Sequence, residues 1–518
     1  MKRRTFIQRS SLAGLPLLVN GIGLTAVTKS RLFSLINGDS DRVLVLIQLN
    51  GGNDELNTLI PLDQYDNLAV VRSNVLIPDS QILKISDTAG LHPSMTGMRQ
   101  LYDAGKLHLT QSVGYPNQNR SHFRSSDIWS TGSAADEVLT TGWMGRYFNA
   151  DHPNFPDGYP NGDCPDPFAL TIGNTTSETC QGPAANFSLA VDDPFNLSPL
   201  SESVVGQLPN NCYGDEMRYL VETIKQTNAY SDVISQAANK GANLSTKYVD
   251  GNRLAQQLKT IALLVSGGLR TKVYVANLGG FDTHAAQVTT DDPSQGTHAL
   301  LLELLSSAVE AFQDDLQLLG IDKRVIGMTF SEFGRRIRSN DSLGTDHGTA
   351  APLIVFGSCV NPGILGTNPE VSRDVDVQEG VPMQYDFRSV YGSILTDWFD
   401  VDESAVRDLL YQDFQRLPIL EPCESTTSQN NWVRDSLEAF VYPNPTSSQS
   451  TVQFVSQGGR VSLDLFDALG NQISNLYSGY RAFGEHQVQI ELHGKPAGVY
   501  YLRLQEGARQ RTLRLVKH

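Results

Sequence analysis

Five short apolar runs, separated by helical stretches, dominate the chain between about Arg42 and Leu420. The first run, Val43 to Leu49, is almost continuously apolar, which is the pattern of a strand buried on both faces of a sheet. Since strands that alternate with helices form mostly parallel sheets, the pattern predicts an α/β sandwich. The four other predicted strands are Leu107 to Val113, Lys272 to Asn277, Arg324 to Phe330 and Pro352 to Phe356.

Three helices are predicted from apolar residues at helical spacing. They span His298 to Leu319, Tyr213 to Ala237 and Arg388 to Phe399, and Gly320 is placed to end the first of them. Residues 149–211 are instead crowded with Pro, Gly, Asn and Asp. We expect an insertion or cap on the sheet there, which either shapes a substrate site or decorates the surface.

The N-terminus has the pattern of an export signal. Met1 to Ser10 is basic, an apolar stretch runs from Leu12 to about Val27, and polar residues follow. The stretch is short and only moderately apolar, which disfavours a membrane anchor. The residues Arg3-Arg4-Thr5-Phe6-Ile7 resemble a twin-arginine signal. Residues 1–30 are therefore predicted to direct export by the twin-arginine translocase to the periplasm, with a general secretory signal as the alternative.

A different pattern of short alternating strands and turns begins at about Ala439. Val461 to Asp467 alternates with period two, so residues 438–518 are predicted to fold as a small β-sandwich. The Pro443-Asn444-Pro445 opening and the strand Gly498 to Tyr501 resemble the C-terminal sorting domain of the type IX secretion system. The resemblance implies handling by the type IX machinery and a final place at the cell surface or outside the cell. An immunoglobulin-like accessory module is the alternative.

The polar residues 421–437 are predicted to be a linker between the main domain, residues 42–420, and this C-terminal domain. A formal charge of −16 argues against binding to nucleic acid, which requires a basic surface. None of the five cysteines forms a Cys-x-x-Cys pair, so a zinc ribbon is not expected. Cys164 and Cys180 share the loop-rich stretch and are the pair that we expect to form a disulfide.

Candidate functional side chains follow several of the predicted strands. Because the carboxyl ends of parallel strands meet at one edge of a sheet, where ligands bind, these side chains are expected to gather there. Two clusters, Asp282-Thr283-His284 and Asp346-His347, put a carboxylate and an imidazole within two residues. Both groups bind divalent metals, so the sequence predicts a metal or anion site. The further candidates at strand ends are Asp54, Ser121, His122 and Glu332.

Simpler structural roles are the alternative for each of these residues. Asp54 could cap a helix, and Glu332 could pair with Arg335. The clustering of several such residues on successive strand ends favours the functional interpretation.

The same residues resemble a known family, the exported bacterial proteins grouped as domain of unknown function 1501. That family is similar to the alkaline phosphatase and sulfatase superfamily. The resemblance implies an alkaline-phosphatase-like α/β/α sandwich and metal-dependent cleavage of phosphate or sulfate esters. It is carried by Leu49 to Asp54, Ser121-His122-Phe123, Gly142-Trp143, Gly280 to His284, Ser331 to Arg335, Thr345 to Gly348 and Asp386 to Tyr391.

Carried over residue by residue, the resemblance implies two metal sites. The implied ligands are Asp54, Asp346 and His347 for the first metal, and Asp282 and His284, with His122 or Glu332, for the second. The implied metals are divalent, namely Zn, Mn, Mg or Ca.

The catalytic residues implied by the resemblance lie early in the chain. Ser121 would be the nucleophile near a helix N-terminus, where N–H groups bind an anion. His122 would act as an acid or base if it is not a ligand. Arg120 would hold an oxygen of the ester.

Three features depart from the superfamily pattern. The spacing is Asp-x-His rather than Asp-x-x-x-His, no histidine occurs between His347 and His486, and no Cys-x-Pro-x-Arg signature is present. The last point disfavours a formylglycine sulfatase. Besides a metal-dependent mutase or transferase on the same fold, the sequence therefore leaves two functions open. One is an exported metal-dependent hydrolase, and the other is a non-catalytic surface or envelope protein that binds a glycan, an anion or a protein at a degenerate site.

Overall fold

The computed structural model describes residues 17–19, 22–24, 41–197, 211–423, 439–442, 446, 448–468, 470–506 and 509–517. The chain forms two compact units, residues 1–425 and 426–518. The predicted linker residues 424–437 lie outside the described residues, as does the predicted signal segment apart from two paired strands, Leu17–Val19 and Ile22–Leu24. None of the described helices is long and apolar enough to cross a membrane.

A nine-stranded sheet forms the centre of the first unit. Its strands are β1 Val43–Asn50, β2 Leu107–Gly114, β3 Ala169–Ile172, β4 Ser188–Val191, β5 Val273–Gly279, β6 Val325–Phe330, β7 Ala351–Gly357, β8 Gly363–Leu365 and β9 Tyr385–Asp386. They lie in the order β8-β2-β7-β6-β1-β5-β3-β4, and β9 pairs with β2. Only β7 runs antiparallel to its neighbours. The mostly parallel sheet confirms the predicted fold class.

The helices of the described residues connect these strands. They are α1 Glu55–Thr58, α2 Tyr65–Val71, α3 Thr96–Asp103, α4 His122–Thr131, α5 Trp143–Asp151, α6 Cys212–Lys240, α7 Arg253–Ser266, α8 Thr297–Leu318, α9 Phe387–Phe399 and α10 Glu403–Leu409. The predicted helices match α8, α6 and α9 within a few residues at each end. Gly320 follows α8 with a φ of 70°, as a helix-ending glycine should.

Strand β1 shows why this sequence makes a three-layer sandwich. Its alternate side chains enter two different cores, because successive residues of a strand point to opposite faces. Val43, Val45 and Ile47 pack in the core that contains α3, α7 and α8. Leu44 and Leu46 pack in the core that contains α5 and α9. The continuous apolar run therefore reflects a strand covered by helices on both faces.

Smaller strands complete the first unit. A three-stranded antiparallel sheet contains Leu59–Pro61, Ala89–Leu91 and Leu83–Lys84. A hairpin pairs Arg335–Ser339 with Thr345–His347 and leads directly into β7. Single 3-10 turns lie at Leu62–Gln64, Asp79–Gln81, Glu178–Cys180 and Asp322–Arg324.

The loop-rich stretch 149–211 does more than cap the sheet. It supplies β3 and β4, which extend the sheet beyond β5 in parallel pairing. The prediction of an insertion or cap did not include these two strands, because each is only four residues long among many turn-forming residues. Residues 198–210 of the stretch lie outside the described residues.

The disulfide joins Cys359 to Cys423, with a Cα–Cα distance of 5.2 Å. The expected pairing of Cys164 with Cys180 was therefore wrong. Backbone pairing between residues 359–361 and 419–421 brings the bonded cysteines together, although they are 64 residues apart. Cys180 is buried in the core, which raises the pKa of its thiol to about 12.

The second unit is an antiparallel sheet of five strands around its own core. The strands are Ala439–Tyr442, Gln449–Phe466, Gln472–Glu491, Gly498–Glu506 and Arg509–Lys517. Val461, Leu463 and Leu465 alternate into that core, as the period-two pattern predicted. A bridge between Thr446 and Lys517 links the first and last parts of the unit. The small C-terminal β domain is confirmed.

Candidate metal centre

The candidate site lies at the edge of the sheet where the parallel strands end. Strands β1, β5 and β6 end there, and antiparallel β7 begins there after the hairpin that carries Asp346 and His347. Asp282 and His284 follow β5, and His122 begins α4 after β2. The topology therefore brings together residues that are up to 225 positions apart in sequence.

Three imidazole rings surround one carboxylate oxygen. The Oδ1 atom of Asp282 lies 3.1 Å from Nε2 of His284, 3.2 Å from Nε2 of His347 and 3.4 Å from Nε2 of His122. The Nε2 atoms of His284 and His347 are 2.8 Å apart. We call these four residues the histidine–aspartate centre.

Each imidazole ring is held from behind through its Nδ1 atom. Nδ1 of His284 lies 2.9 Å from Oδ1 of Asp346, and Nδ1 of His122 lies 2.8 Å from Oε1 of Glu332. Nδ1 of His347 lies 2.8 Å from the carbonyl oxygen of Arg120. All three partners are acceptors, which favours the tautomer with the proton on Nδ1 and the lone pair on Nε2.

This arrangement fits a bound cation. Three lone pairs and a negative oxygen face one another, and such groups repel unless a positive charge lies between them. The Nε2 atom of His122 is buried and accepts no hydrogen bond from the described residues. A metal-bound histidine normally donates its other N–H to a carboxylate or carbonyl oxygen, which is the pattern at all three rings. His122, Asp282 and His347 offer ligand atoms that all lie within 4.8 Å of one another.

The guanidinium group of Arg335 fixes Asp282 from the other side. This side chain is completely buried, and its Nη2 donates to Oδ1 of Asp282 at 2.8 Å. Burial opposes the charge on Asp282, but the hydrogen bond and ion pair with Arg335 outweigh it and hold the pKa of that carboxyl below its ordinary value. Asp282 is therefore a carboxylate at neutral pH. Burial likewise lowers the pKa of His347, which favours the neutral ring that binds metals.

Arg335 also joins the loops that carry the centre. It donates to the carbonyl oxygens of Gly52 at 2.7 Å, Phe281 at 2.8 Å and Thr345 at 2.9 Å, and it contacts that of Gly51. The loop after β1 approaches so closely that a Cβ atom on Gly51 would lie 2.2 Å from the amide nitrogen of Asp282. Only glycine fits there, at a φ of 125°.

The ring of Phe333 packs against two of the three imidazoles. Its centroid lies 4.9 Å from that of His122 and 4.7 Å from that of His347. Phe333 is itself buried, so the two rings rest on a fixed apolar surface. Packing and Nδ1 hydrogen bonds together set the direction of each Nε2 atom.

Two predicted ligands support histidines instead of facing the centre. Glu332 is buried and accepts from the Gly51 amide at 2.8 Å as well as from His122. Asp346 accepts from His284 and from Asn340 Nδ2 at 3.2 Å, and its other oxygen pairs with Arg336 at 3.1 Å. Burial opposes the charge of Asp346, but these hydrogen bonds and Arg336 lower the pKa of its carboxyl. The alternative pairing of Glu332 with Arg335 is not formed, because Arg335 binds Asp282.

Asp54 lies apart from the centre. Its carboxylate is completely buried, accepts from the Leu56 amide at 3.2 Å, and pairs with Arg72 and Gln287. Burial alone would raise the pKa of the Asp54 carboxyl, but the positive charge of Arg72 has the larger effect and lowers that pKa. The first implied metal site, Asp54 with Asp346 and His347, is therefore not assembled. Asp54 caps α1, which was the simpler interpretation of this residue.

The predicted catalytic residues flank the centre. Ser121 is exposed at the N-cap of α4, and its side chain caps no backbone N–H there. The side chain of Arg120 donates to the carbonyl oxygen of Gln378 at 2.5 Å. Burial and the neighbouring charge of Arg336 lower the pKa of Arg120. The side chains of Arg120 and Arg336 thus lie close enough for their charges to interact.

Sequence reasoning assigned no role at the centre to four residues that shape it, although two of them, Phe333 and Arg335, lie in the matching stretch Ser331 to Arg335. Arg335, Arg336, Phe333 and Asn340 all act across loops, on partners between 6 and 211 positions away. Three of them follow β6 directly, so their position at a strand end was an available signal. Nothing in their spacing indicates which side chains they contact.

Comparison with known families agrees with the sequence resemblance. Residues 229–397 match the family model described as a protein of unknown function, DUF1501. Residues 440–518 match the model of a secretion system C-terminal sorting domain. Residues 229–397 are therefore similar to DUF1501 proteins, and residues 440–518 are similar to secretion sorting domains. The first matched segment contains Asp282, His284 and His347 of the centre, and His122 precedes it. The sorting domain supports type IX export to the cell surface or beyond.

Solved structures with similar folds include sulfatases and phosphatase-like proteins. A PsFucS1 sulfatase from Pseudoalteromonas sp. is 10% identical, with 90% of this chain and 86% of that chain covered and a TM-score of 0.33. An alkaline phosphatase superfamily protein from Vibrio parahaemolyticus is 9% identical, with 91% and 79% covered and a TM-score of 0.32. The phosphonate monoester hydrolase SpPMH from Silicibacter pomeroyi is 12% identical, with 92% and 89% covered and a TM-score of 0.27. No curated protein matches the sequence.

Proposed function

We propose that this protein is an exported, metal-dependent hydrolase of phosphate or sulfate esters. One metal ion would be held by the histidine–aspartate centre. The observation that carries the proposal is the convergence of three Nε2 atoms on one carboxylate oxygen, with an acceptor behind every ring. Export is supported by the sorting domain, and we propose a twin-arginine signal at residues 1–30 for the first step.

The donor set favours zinc or another transition metal. Magnesium and calcium prefer oxygen ligands, whereas imidazole suits zinc, copper, iron and nickel. The side chains of Asp282 and His284 remain 48% and 44% exposed, so the centre is open to solvent, as a catalytic site must be. A metal ion bound there would polarise an ester oxygen as a Lewis acid and assist deprotonation of the attacking hydroxyl or water.

Ser121 is the proposed nucleophile and the arginines the proposed anion holders. The exposed Ser121 hydroxyl precedes His122 in the chain, at the N-terminus of a ten-residue helix whose N–H groups favour an anion. Arg336, which pairs with Asp346 at 3.1 Å, supplies positive charge beside the centre, and the side chain of Arg120 lies close enough for its charge to interact with that of Arg336. Positive charge there suits the oxygens of a phosphate or sulfate group. Glu332 and Asp346 hold the Nδ1 protons of two histidines and so keep their Nε2 atoms available.

Metal analysis and ester hydrolysis on the same samples test the proposal. The full-length chain is purified, its metal content is measured by mass spectrometry, and hydrolysis of 4-nitrophenyl phosphate and 4-nitrophenyl sulfate is followed. We expect about one transition-metal ion per chain, with His284→Ala losing both metal and hydrolysis. His493→Ala, at an exposed histidine of the C-terminal unit, is the matched control and should retain both. Ser121→Ala should keep the metal and lose hydrolysis.

Metal-free protein with no turnover of either ester would refute the hydrolase. That result would favour the alternative of a non-catalytic surface protein that binds a glycan, an anion or a protein. Hydrolysis that survives Ser121→Ala would instead retain the hydrolase and assign the attack to water.

A further inference from the structure

A buried amide connects the two chain segments that carry three residues of the histidine–aspartate centre. The side chain of Gln287 is completely buried. Its Oε1 atom accepts from the hydroxyl of Thr345 at 2.6 Å and from that of Thr283 at 3.2 Å. Thr283 separates the two residues of the centre that follow β5, and Thr345 lies two positions before His347. One side chain therefore joins both segments from the interior of the protein.

Asp54 fixes the orientation of this amide. Nε2 of Gln287 donates to Oδ2 of Asp54 at 2.5 Å, and the same carboxylate oxygen contacts Nη2 of Arg72. Both Asp54 and Arg72 are completely buried. A carboxylate can only accept hydrogen bonds, so the NH2 group of the amide must face Asp54 and the amide oxygen must face the threonines. A continuous series of hydrogen bonds thus leads from the buried Asp54–Arg72 ion pair to the two segments.

Burial separates the anchoring side chains from those of the centre. Thr283 and Thr345 are buried, whereas their neighbours Asp282, His284 and His347 are partly or largely exposed. The backbone also joins the two segments at this point, where the Thr345 amide donates to the carbonyl oxygen of Thr283 at 3.2 Å. The hydroxyl groups therefore anchor the segments on the inner side, while the neighbouring residues of the centre remain accessible.

We infer that Gln287 is a positioning residue, which holds these two segments together so that His284 and His347 can bind the same metal ion. This inference rests on the proposed function, because it requires a metal ion at the centre. The Nε2 atoms of the two histidines are 2.8 Å apart, and each histidine lies within two positions of a threonine that Gln287 anchors. Asp54 then acts on the metal site from a distance, by orienting the amide.

The expected effect is a loss of metal affinity without loss of a metal ligand. Gln287→Leu keeps a side chain of similar size but removes the acceptor of both threonine hydroxyls. Replacing a residue that supports a metal ligand typically weakens metal binding about ten- to hundredfold. Gln287 acts through the segments rather than on the imidazole rings, so we expect a loss of about tenfold. Thr345→Val alone should weaken binding less, and should have no further effect in the Gln287→Leu background, because both changes remove the same hydrogen bond.

Three measurements on the full-length chain separate positioning from stability. Zinc affinity is measured by competition with a chromophoric chelator, the coordination geometry by the visible spectrum of the cobalt(II)-loaded chain, and stability by the urea midpoint of the metal-free chain. Gln111→Leu is the matched control, since Gln111 is also buried and its amide donates to Oδ1 of Asn368 at 2.9 Å. Both variants should lower the urea midpoint, but only Gln287→Leu should weaken zinc binding and change the cobalt spectrum.

The outcomes distinguish this inference from the proposed function. If the unchanged chain binds neither zinc nor cobalt, the metal centre is refuted, and the role of Gln287 with it. If the unchanged chain binds zinc and Gln287→Leu binds it within twofold as tightly, the centre stands and the positioning role is refuted.

Two further results would also overturn the positioning role. The first is an equal loss of zinc affinity in Gln287→Leu and Gln111→Leu, because it would reflect general destabilisation. The second concerns the variant with both Thr283→Val and Thr345→Val, which keeps Gln287 and serves as the test if Gln287→Leu does not fold. An unchanged zinc affinity and cobalt spectrum in that variant would show that the anchored hydroxyls do not position the centre.

Discussion

Replacing Asp346 with Asn tests whether the carboxylate behind His284 orients a metal ligand. Oδ1 of Asp346 accepts from Nδ1 of His284 at 2.9 Å, and Oδ2 pairs with Arg336 at 3.1 Å. Asp346→Asn keeps the size of the side chain but removes its charge. The amide can still accept from one donor, but its NH2 group then faces either Arg336 or the Nδ1 proton of His284.

The size of the effect follows from the lost hydrogen bond. A hydrogen bond to a charged group is worth about 1.5–3 kcal/mol, and Asp346 is 33% exposed, so solvent screens part of it. A loss of about 1–2 kcal/mol corresponds to roughly five- to thirtyfold weaker metal binding. This range overlaps the ten- to hundredfold loss of metal affinity that is typical when a residue hydrogen-bonded to a metal ligand is replaced. His284→Ala removes a ligand outright and should weaken binding by more than a hundredfold.

Competition for zinc against a chromophoric chelator measures both affinities. Asp87→Asn, at an exposed aspartate, is the matched control and should bind zinc like the unchanged chain. If the zinc affinity of Asp346→Asn is within twofold of that of the unchanged chain while His284→Ala does not bind zinc, Asp346 does not orient His284 for metal binding. If both variants bind zinc normally, the metal is not held by the histidine–aspartate centre.

Three further predictions concern stability. Zinc at a hundred times its dissociation constant should stabilise the main domain by about 2.7 kcal/mol. For about 380 residues this stabilisation should raise the Tm measured by calorimetry by about 3 °C. An unchanged Tm would contradict specific binding of zinc to the folded chain. Replacing Cys359 and Cys423 with Ser should lower the free energy of unfolding, measured in urea, by up to about 4 kcal/mol, because the disulfide joins residues that are 64 positions apart and so restricts the unfolded chain. An unchanged urea midpoint would show that other contacts constrain this loop. Burial lowers the pKa of His298 from 6.5 to about 4. Between these two pH values the unfolded chain therefore binds more protons than the folded chain does. The free energy of unfolding should fall by about 3 kcal/mol as the pH drops from about 6.5 to about 4. Urea denaturation across that range should show this loss, and His298→Gln should flatten it relative to the unchanged chain.

The fold was predictable because strand burial leaves a direct trace in sequence. A strand covered on both faces is apolar at nearly every position, and Val43 to Leu49 meets that condition except at the partly buried Gln48. The short strands β3 and β4 leave no such trace, because four residues among turn-forming neighbours do not make a pattern. The same limit applies to Cys359 and Cys423, whose approach depends on the backbone pairing of two distant segments.

The gathering of the site residues follows from topology, but their individual roles do not. Asp282, His284 and His347 meet because the strands before and after them end or begin at one edge. Whether a carboxylate there faces the centre or stands behind a histidine depends on its partners. Asp54 looked like a ligand on position alone, yet Arg72 and Gln287 bind it away from the centre.

Arg335 explains why one centre forms where two metal sites were expected. A buried guanidinium needs acceptors for its donors, and the carbonyl oxygens of three loops together with Asp282 satisfy it. Once those loops are drawn together, the Nε2 atoms of His122, His284 and His347 share one carboxylate oxygen, and Glu332 and Asp346 are left on the outer side of the rings. Glu332 and Asp346 thus accept the Nδ1 protons of His122 and His284 instead of facing the position proposed for a metal. Arg335 holds Asp282 and Arg72 holds Asp54, so two buried arginines, together with the histidines, determine where the acidic residues lie.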